Sequence, residues 1–90
     1  MMDDNYKSAL LEYVQARSLG IPRYSVTQEE GPEHDRRFTV EVTVGSQSWG
    51  VGSGRSKKEA EQSAAADALE RIQQHKVNFY PENINETSAK

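Results

Sequence analysis

Phe38-Thr39-Val40-Glu41-Val42-Thr43-Val44 alternates apolar and polar residues without a break. Successive side chains of an extended chain point to opposite faces, so this run builds one apolar face and one polar face. That is the signature of a half-buried antiparallel strand. Such a strand needs partners at its edges and apolar cover on one side. Ninety residues supply these within one small domain and leave no room for a separate catalytic lobe. The chain has no cysteine, which excludes disulfide scaffolds, zinc fingers and thiolate catalysis.

The neighbours of the run can be read in both directions. Upstream, Tyr24 and Val26 alternate with polar residues, and Glu29-Glu30-Gly31-Pro32 is a turn signal. Downstream, Gly45-Ser46 suits a two-residue hairpin turn with glycine first. Trp49 and Val51 then continue a short third strand, expected to dissolve into Gly52-Ser53-Gly54. The glycines are expected to let that strand twist into a helix start.

Helices flank the strands. From Asn5 to Ser18, Tyr6, Ala9, Leu10, Tyr13 and Val14 share one helical stripe, with Ser8, Glu12 and Gln15 opposite. Asn5 or Asp4 suits the N-cap, and Gly20 with Pro22 supplies the stop. Ser56-Lys57-Lys58-Glu59 spells a capping box, with Glu59 expected to reach back to the Ser56 amide. Ala60, Ala64, Ala65, Ala68, Leu69 and Ile72 follow at helical spacing. The expected fold class is therefore α+β, in the order α-β-β-β-α: a three-stranded antiparallel sheet with two helices packed on one face. Phe38, Val40, Val42, Leu10 and Leu69 are its expected core. The domain is expected to span residues 5–75, and residues 76–90 to form a disordered tail.

No constellation for catalysis, metal or cofactor emerges. Gly50 to Lys57 lacks the spacing of a phosphate loop, and the residues around Ser53 miss the nucleophile elbow. His34 and His75 have no partner at metal spacing, and Glu29, Glu30, Glu33 and Asp35 read as a solvated acidic loop. No stretch approaches the 18 or so consecutive apolar residues of a membrane span, so no membrane partner is expected and the expected setting is the cytoplasm. A net charge of −3 and a pI near 5.3 argue against nucleic acid unless the charges are segregated. They are. Lys57 and Lys58 share an angular range with Ala64, Ala65 and Ala68, so the first turn must overhang the sheet edge, with Arg55 just before it. Lysines there oppose the helix dipole, and an external anion would relieve them.

Gly50-x-Gly52-x-Gly54-Arg55-Ser56-Lys57-Lys58-x-Ala60, after Gly31-Pro32-x-His34 and Phe38-x-Val40, resembles the double-stranded RNA-binding domain. Tyr6-Lys7-Ser8-x-Leu10-x-Glu12-x-x-Gln15 fits the same pattern. The wording Lys57-Lys58-Glu59-Ala60-Glu61-Gln62 is most similar to the carboxyl-terminal domain of bacterial ribonuclease III. The resemblance covers Asn5 to about Gln74. It implies a non-catalytic module that reads the shape, 2′-hydroxyls and phosphates of A-form RNA over about 16 base pairs. Double-stranded RNA is then the partner, in RNA processing, and a nuclease domain is implied in a parent chain. By the same resemblance Ser8, Glu12 and Gln15 would meet one minor groove, and Pro32, Glu33 and His34 the next. Arg55, Ser56, Lys57 and Lys58 would hold phosphates across the major groove. Leu11 on the polar helix face, Glu61 in place of a lysine, and the acidic hairpin loop depart from the family pattern, and the net charge, Leu11 and the acidic loop motivate an alternative. That alternative is a protein–protein interaction domain of the same fold with weak or no RNA binding. Neither reading fixes an oligomeric state.

Overall fold

The alternating run is the central strand of the sheet. The computed structural model describes residues 5–74 and contains α1 (Tyr6–Ala16), β1 (Pro22–Glu30), β2 (Arg37–Val44), β3 (Gln47–Gly54) and α2 (Lys57–Gln73). A short 3₁₀ turn, Glu33–Asp35, joins β1 to β2. The sheet is antiparallel throughout, in the order β1-β2-β3, and α2 packs on β3 and β2 while α1 packs chiefly on α2. The expected α-β-β-β-α order is the observed one. His75 and the expected tail lie outside the described residues.

Alternation in β2 places Val40, Val42 and Val44 in the core, with Thr39, Glu41 and Thr43 on the other face. Each fully buried valine or leucine contributes about 1.5–3 kcal/mol of hydrophobic stabilisation. Leu10 and Val14 of α1 and Ala60, Ala64, Ala65, Ala68 and Ile72 of α2 complete the buried set. Phe38 and Leu69, expected as core members, are only partly buried and pack against it.

β1 is longer than its alternation suggested. Glu29 and Glu30 belong to the strand, opposite Phe38 and Arg37, and a register shift falls between Val26 and Gln28. The turn itself starts at Gly31, whose φ is +93°; a Cβ there would come within 2.5 Å of the Asp35 carbonyl oxygen.

β3 differs more. It runs unbroken to Gly54, which pairs with Phe38, and carries a bulge: Gly50 faces Val42 while Ser48 faces Thr43. Trp49 is the extra residue. The bulge turns its ring inward, so that Trp49 is the largest buried side chain while Val51 faces solvent. Gly50, Gly52 and Gly54 consequently line the side facing α2. A Cβ on Gly50 would lie 2.6 Å from the Ala64 carbonyl oxygen, and one on Gly52 would meet the Ala64 nitrogen and Ser63. The glycines form a bare strip against which the alanine face of α2 lies. Asp67 fastens this contact from its margin, accepting the Val51 amide at 2.9 Å and pairing with Arg71.

The helix ends also have identifiable causes. Asn5 caps α1 through Ser8. Its C-terminus closes with Leu19 donating to the Val14 carbonyl and Ser18 to the Gln15 carbonyl. This is a Schellman motif. Ser18, at φ +54°, holds the left-handed position expected for Gly20, because the helix stops two residues earlier than glycine would require. At α2, Ser56 accepts the Glu59 amide as the capping box demands, but Glu59 reaches back to Arg55 N–H at 2.8 Å rather than to Ser56.

Candidate nucleic-acid interface

The amphipathic order of α1 buries Leu10 and Val14 and so turns Ser8, Glu12 and Gln15 to solvent. Ser8 and Gln15 stand seven positions apart, about 10 Å along the helix axis. Leu11 shares this side and is 37% exposed. The side is polar with one apolar member.

Arg55, Ser56, Lys57 and Lys58 are all exposed. The overhang expected from the helical wheel is present, since the buried face of α2 begins only at Ala60. Among the described residues the ion pairs are Lys7–Glu61, Arg36–Glu29 and Arg71–Asp67. None uses Arg55, Lys57 or Lys58. The Lys57 ammonium stands 5.9 Å from the centre of the Phe38 ring, close enough for a weak cation–π attraction. Its charge remains accessible. The amides of the first α2 turn and the helix dipole add to the positive field there.

Pro32, Glu33 and His34 project at the tip of the β1–β2 hairpin, all exposed. Glu33, His34, Asp35 and Arg36 share an open groove with Phe38 and Arg55. Thus the hairpin tip and the start of α2 are neighbours across that groove; Pro32 lies outside its lining. The acidity of this hairpin is partly cancelled. Arg36 pairs with Glu29 at 3.1 Å, and Arg37 stands opposite Glu30 in the sheet.

α1 and α2 meet at the opposite end of the overhang. Lys7 pairs with Glu61, and the Tyr6 and Lys7 amides donate to Gln62 Oε1 at 2.9 and 3.2 Å. The ammonium of Lys7 also lies 4.8 Å from the Tyr24 ring centre. Glu61 therefore meets a cation of its own fold. Burial, and secondarily the Glu61 charge, push the Tyr24 hydroxyl up to about 12. The first turn of α1, the first two turns of α2 and the hairpin tip thus form one continuous line of surface. Sequence reasoning found three of its parts but missed Lys7, Arg36 and Gln62. Arg36 shows only as a cation beside an acidic run. The partnership of Gln62 with α1, 55 residues away, leaves no local sequence signal at all.

Among the described residues no three His, Asp or Glu side chains gather to hold a metal ion, and no helix is long and apolar enough to cross a membrane.

Residues 6–72 match the family model described as the double-stranded RNA binding motif. Ribonuclease 3 of Bacillus licheniformis is 51% identical over 71 residues, which are 79% of this chain and 28% of that protein. Ribonuclease 3 of Chlorobaculum tepidum is 45% identical over 84 residues, 93% of this chain and 29% of that protein. The chain spans less than a third of the length of these curated relatives. Among solved structures, Arabidopsis HYL1, described in connection with miRNA processing, superposes with a TM-score of 0.67 at 36% identity. That match covers 77% of this chain and 97% of the other.

Proposed function

The chain belongs to the double-stranded RNA-binding domain family, and we propose that it grips A-form RNA along the line from α1 through the start of α2 to the hairpin tip. Ser8, Glu12 and Gln15 meet 2′-hydroxyls and base edges in one minor groove. Pro32, Glu33 and His34 probe the next, and Arg55, Ser56, Lys57 and Lys58 bridge the intervening phosphates. The observation that carries this reading is the cationic first turn of α2, free of any ion pair among the described residues and lying between the two polar probes. Phosphates answer to the field within about 8 Å at physiological salt, so this turn outweighs a net charge of −3.

The alternative of a protein-binding domain loses two of its three motives. The net charge is offset by the local field of the α2 turn, and Glu29 of the hairpin is paired with Arg36; exposed Leu11 remains. The domain binds and does not cut. By its likeness to Ribonuclease 3, it serves as the RNA-holding part of a ribonuclease III, with residues 5–75 as the folded unit. Cleavage then falls to a nuclease domain of the parent chain, in RNA processing in the cytoplasm.

Titration of the chain with a duplex of about 20 base pairs, longer than the roughly 16 that the family spans, tests the reading. Amide shifts are expected at Ser8, Glu12, Gln15, His34, Lys57 and Lys58, with RNA bound more tightly than DNA of equal sequence. Equal affinity for the two duplexes at matched salt would reject the minor-groove contacts. No response to RNA at low salt would reject the function.

A further inference from the structure

An α-helix leaves its first N–H groups without acceptors of its own. In α1 the first three belong to Tyr6, Lys7 and Ser8. Asn5 accepts only the last, at 3.3 Å. The other two converge on a single oxygen, Gln62 Oε1, from a different helix. Beside that oxygen the Lys7 ammonium pairs with Glu61, the residue preceding Gln62. Two adjacent side chains of α2 therefore satisfy the backbone and the charge of the first turn of α1.

The position of this clamp matters. Gln62 follows Lys58 by four residues and so stands one turn further along the same side of α2. Ser8 belongs to the turn that Gln62 holds. Apart from the clamp, α1 is secured further along by buried Leu10 and Val14 and by Tyr13, whose ring meets Trp49 of β3 edge-on. Its contact with β1 is slight, and among the described residues only the clamp holds its first turn by hydrogen bonds to another element. Hydrophobic packing restrains separation of the helices better than sliding or rotation of one on the other. Hydrogen bonds to one oxygen restrain both. We infer that Gln62, supported by the Lys7–Glu61 pair, is a positioning residue. It fixes the offset of the Ser8–Glu12–Gln15 face from the phosphate-binding turn at Lys57 and Lys58.

This inference rests on the RNA-binding reading above. The two kinds of contact respond differently to a lost offset. Lysine reaches phosphate on a flexible stem and through a long-range field, so it tolerates displacement. Hydrogen bonds to 2′-hydroxyls demand the right distance and angle and weaken steeply outside them. Loosening α1 should therefore remove discrimination between RNA and DNA while sparing the salt dependence. A role in stability alone would move neither.

The test uses the whole chain, RNA and DNA duplexes of about 20 base pairs and equal sequence, and several salt concentrations well below the melting temperature. Gln62→Met keeps size and shape but removes the acceptor. The expected result is a fall of about tenfold in the RNA-to-DNA affinity ratio, the equivalent of about one lost hydrogen bond, with the slope of log affinity against log salt unchanged. Gln62→Glu retains an acceptor, now charged and opposite the positive end of α1. It should keep the wild-type ratio even though its charge weakens both duplexes. An unchanged ratio in Gln62→Met overturns the inference, as does a fall in affinity shared by both duplexes. Should Gln62→Met not fold, Lys7→Met releases the adjacent pair while leaving both caps, and its ratio must fall; an unchanged ratio overturns the inference there too. A wild-type chain without preference for RNA would instead reject the proposed function itself.

Discussion

Tyr24 places a hydroxyl beside the junction of α1 and α2, buried and without a hydrogen-bond partner among the described residues. Burial first, and then the nearby Glu61 charge, raise its pKa from 10.0 to about 12. The unfolded chain releases this proton near pH 10, whereas the folded chain holds it to about 12. Its contribution is therefore complete below pH 10 and lost as pH rises through about 12. Other groups also lose protons at high pH, so the comparison must be with Tyr24→Phe. That variant should be as stable as the parent at pH 7, or more stable by about 1 kcal/mol, since an unsatisfied polar atom has gone. Its stability should also decline less between pH 10 and 12. Urea melts across that range decide the matter, and parallel declines would show that the hydroxyl is solvated in the fold. Ser18 offers a second residue-scale test. Its φ of +54° suits glycine better than any side chain. Ser18→Gly should raise stability by about 0.5 kcal/mol after the entropy that glycine adds to the unfolded chain. A lowered urea midpoint would mean that Ser18 has a role beyond its backbone.

At the scale of elements, three glycines let β3 and α2 approach closely. Gly52→Ala would set a methyl group against backbone atoms of α2, which cannot rotate away as a side chain can. The helix must shift, at a loss of about 1–3 kcal/mol typical of overpacking. Ser53→Ala, on the neighbouring exposed position, should stay within about 0.5 kcal/mol. Thermal melts of both variants check this, and a Gly52→Ala protein of parental stability would show the helix to stand off the strand. The elements themselves were legible in the chain: β2 from its strict alternation, α2 from Ser56 and its alanines, α1 from its stripe. The glycines were visible only as punctuation. A bulge at Trp49 reverses which residues of β3 face the helix, and a bulge is set by pairing with β2, so the periodicity of β3 alone could not reveal it. For the same reason Trp49 did not stand out as the largest core side chain, and Leu69, on the margin of α2, was placed too deep.

For the molecule as a whole, the distribution of charge decides more than its sum. Glu61 is held by Lys7, Asp67 by Arg71 and the Val51 amide, Glu29 by Arg36, and Glu59 by the Arg55 amide. These four acids are engaged by the protein itself, while Arg55, Lys57 and Lys58 enter no ion pair among the described residues. The sequence disclosed the lysines, because their mismatch with the apolar stripe of α2 is a local pattern. It did not disclose which acids are engaged, because those partners come together only on folding. Lys57→Ala and Lys58→Ala should each weaken binding to every duplex RNA and lower the magnitude of the salt slope by about 1. Their effects on the free protein should differ. Lys58→Ala removes a cation from the positive end of α2 and should leave stability level or raise it by about 0.3–1 kcal/mol at low salt. Lys57→Ala gives the same relief but also gives up the attraction to the Phe38 ring, worth about 0.5–1 kcal/mol at an exposed site, so no gain is expected. Paired gel-shift titrations and thermal melts separate the two effects. Loss of binding with stability held or raised is the result that a purely structural lysine cannot give. If the double variant keeps both its affinity and its salt slope, the start of α2 does not touch phosphate, and the duplex must dock on another face.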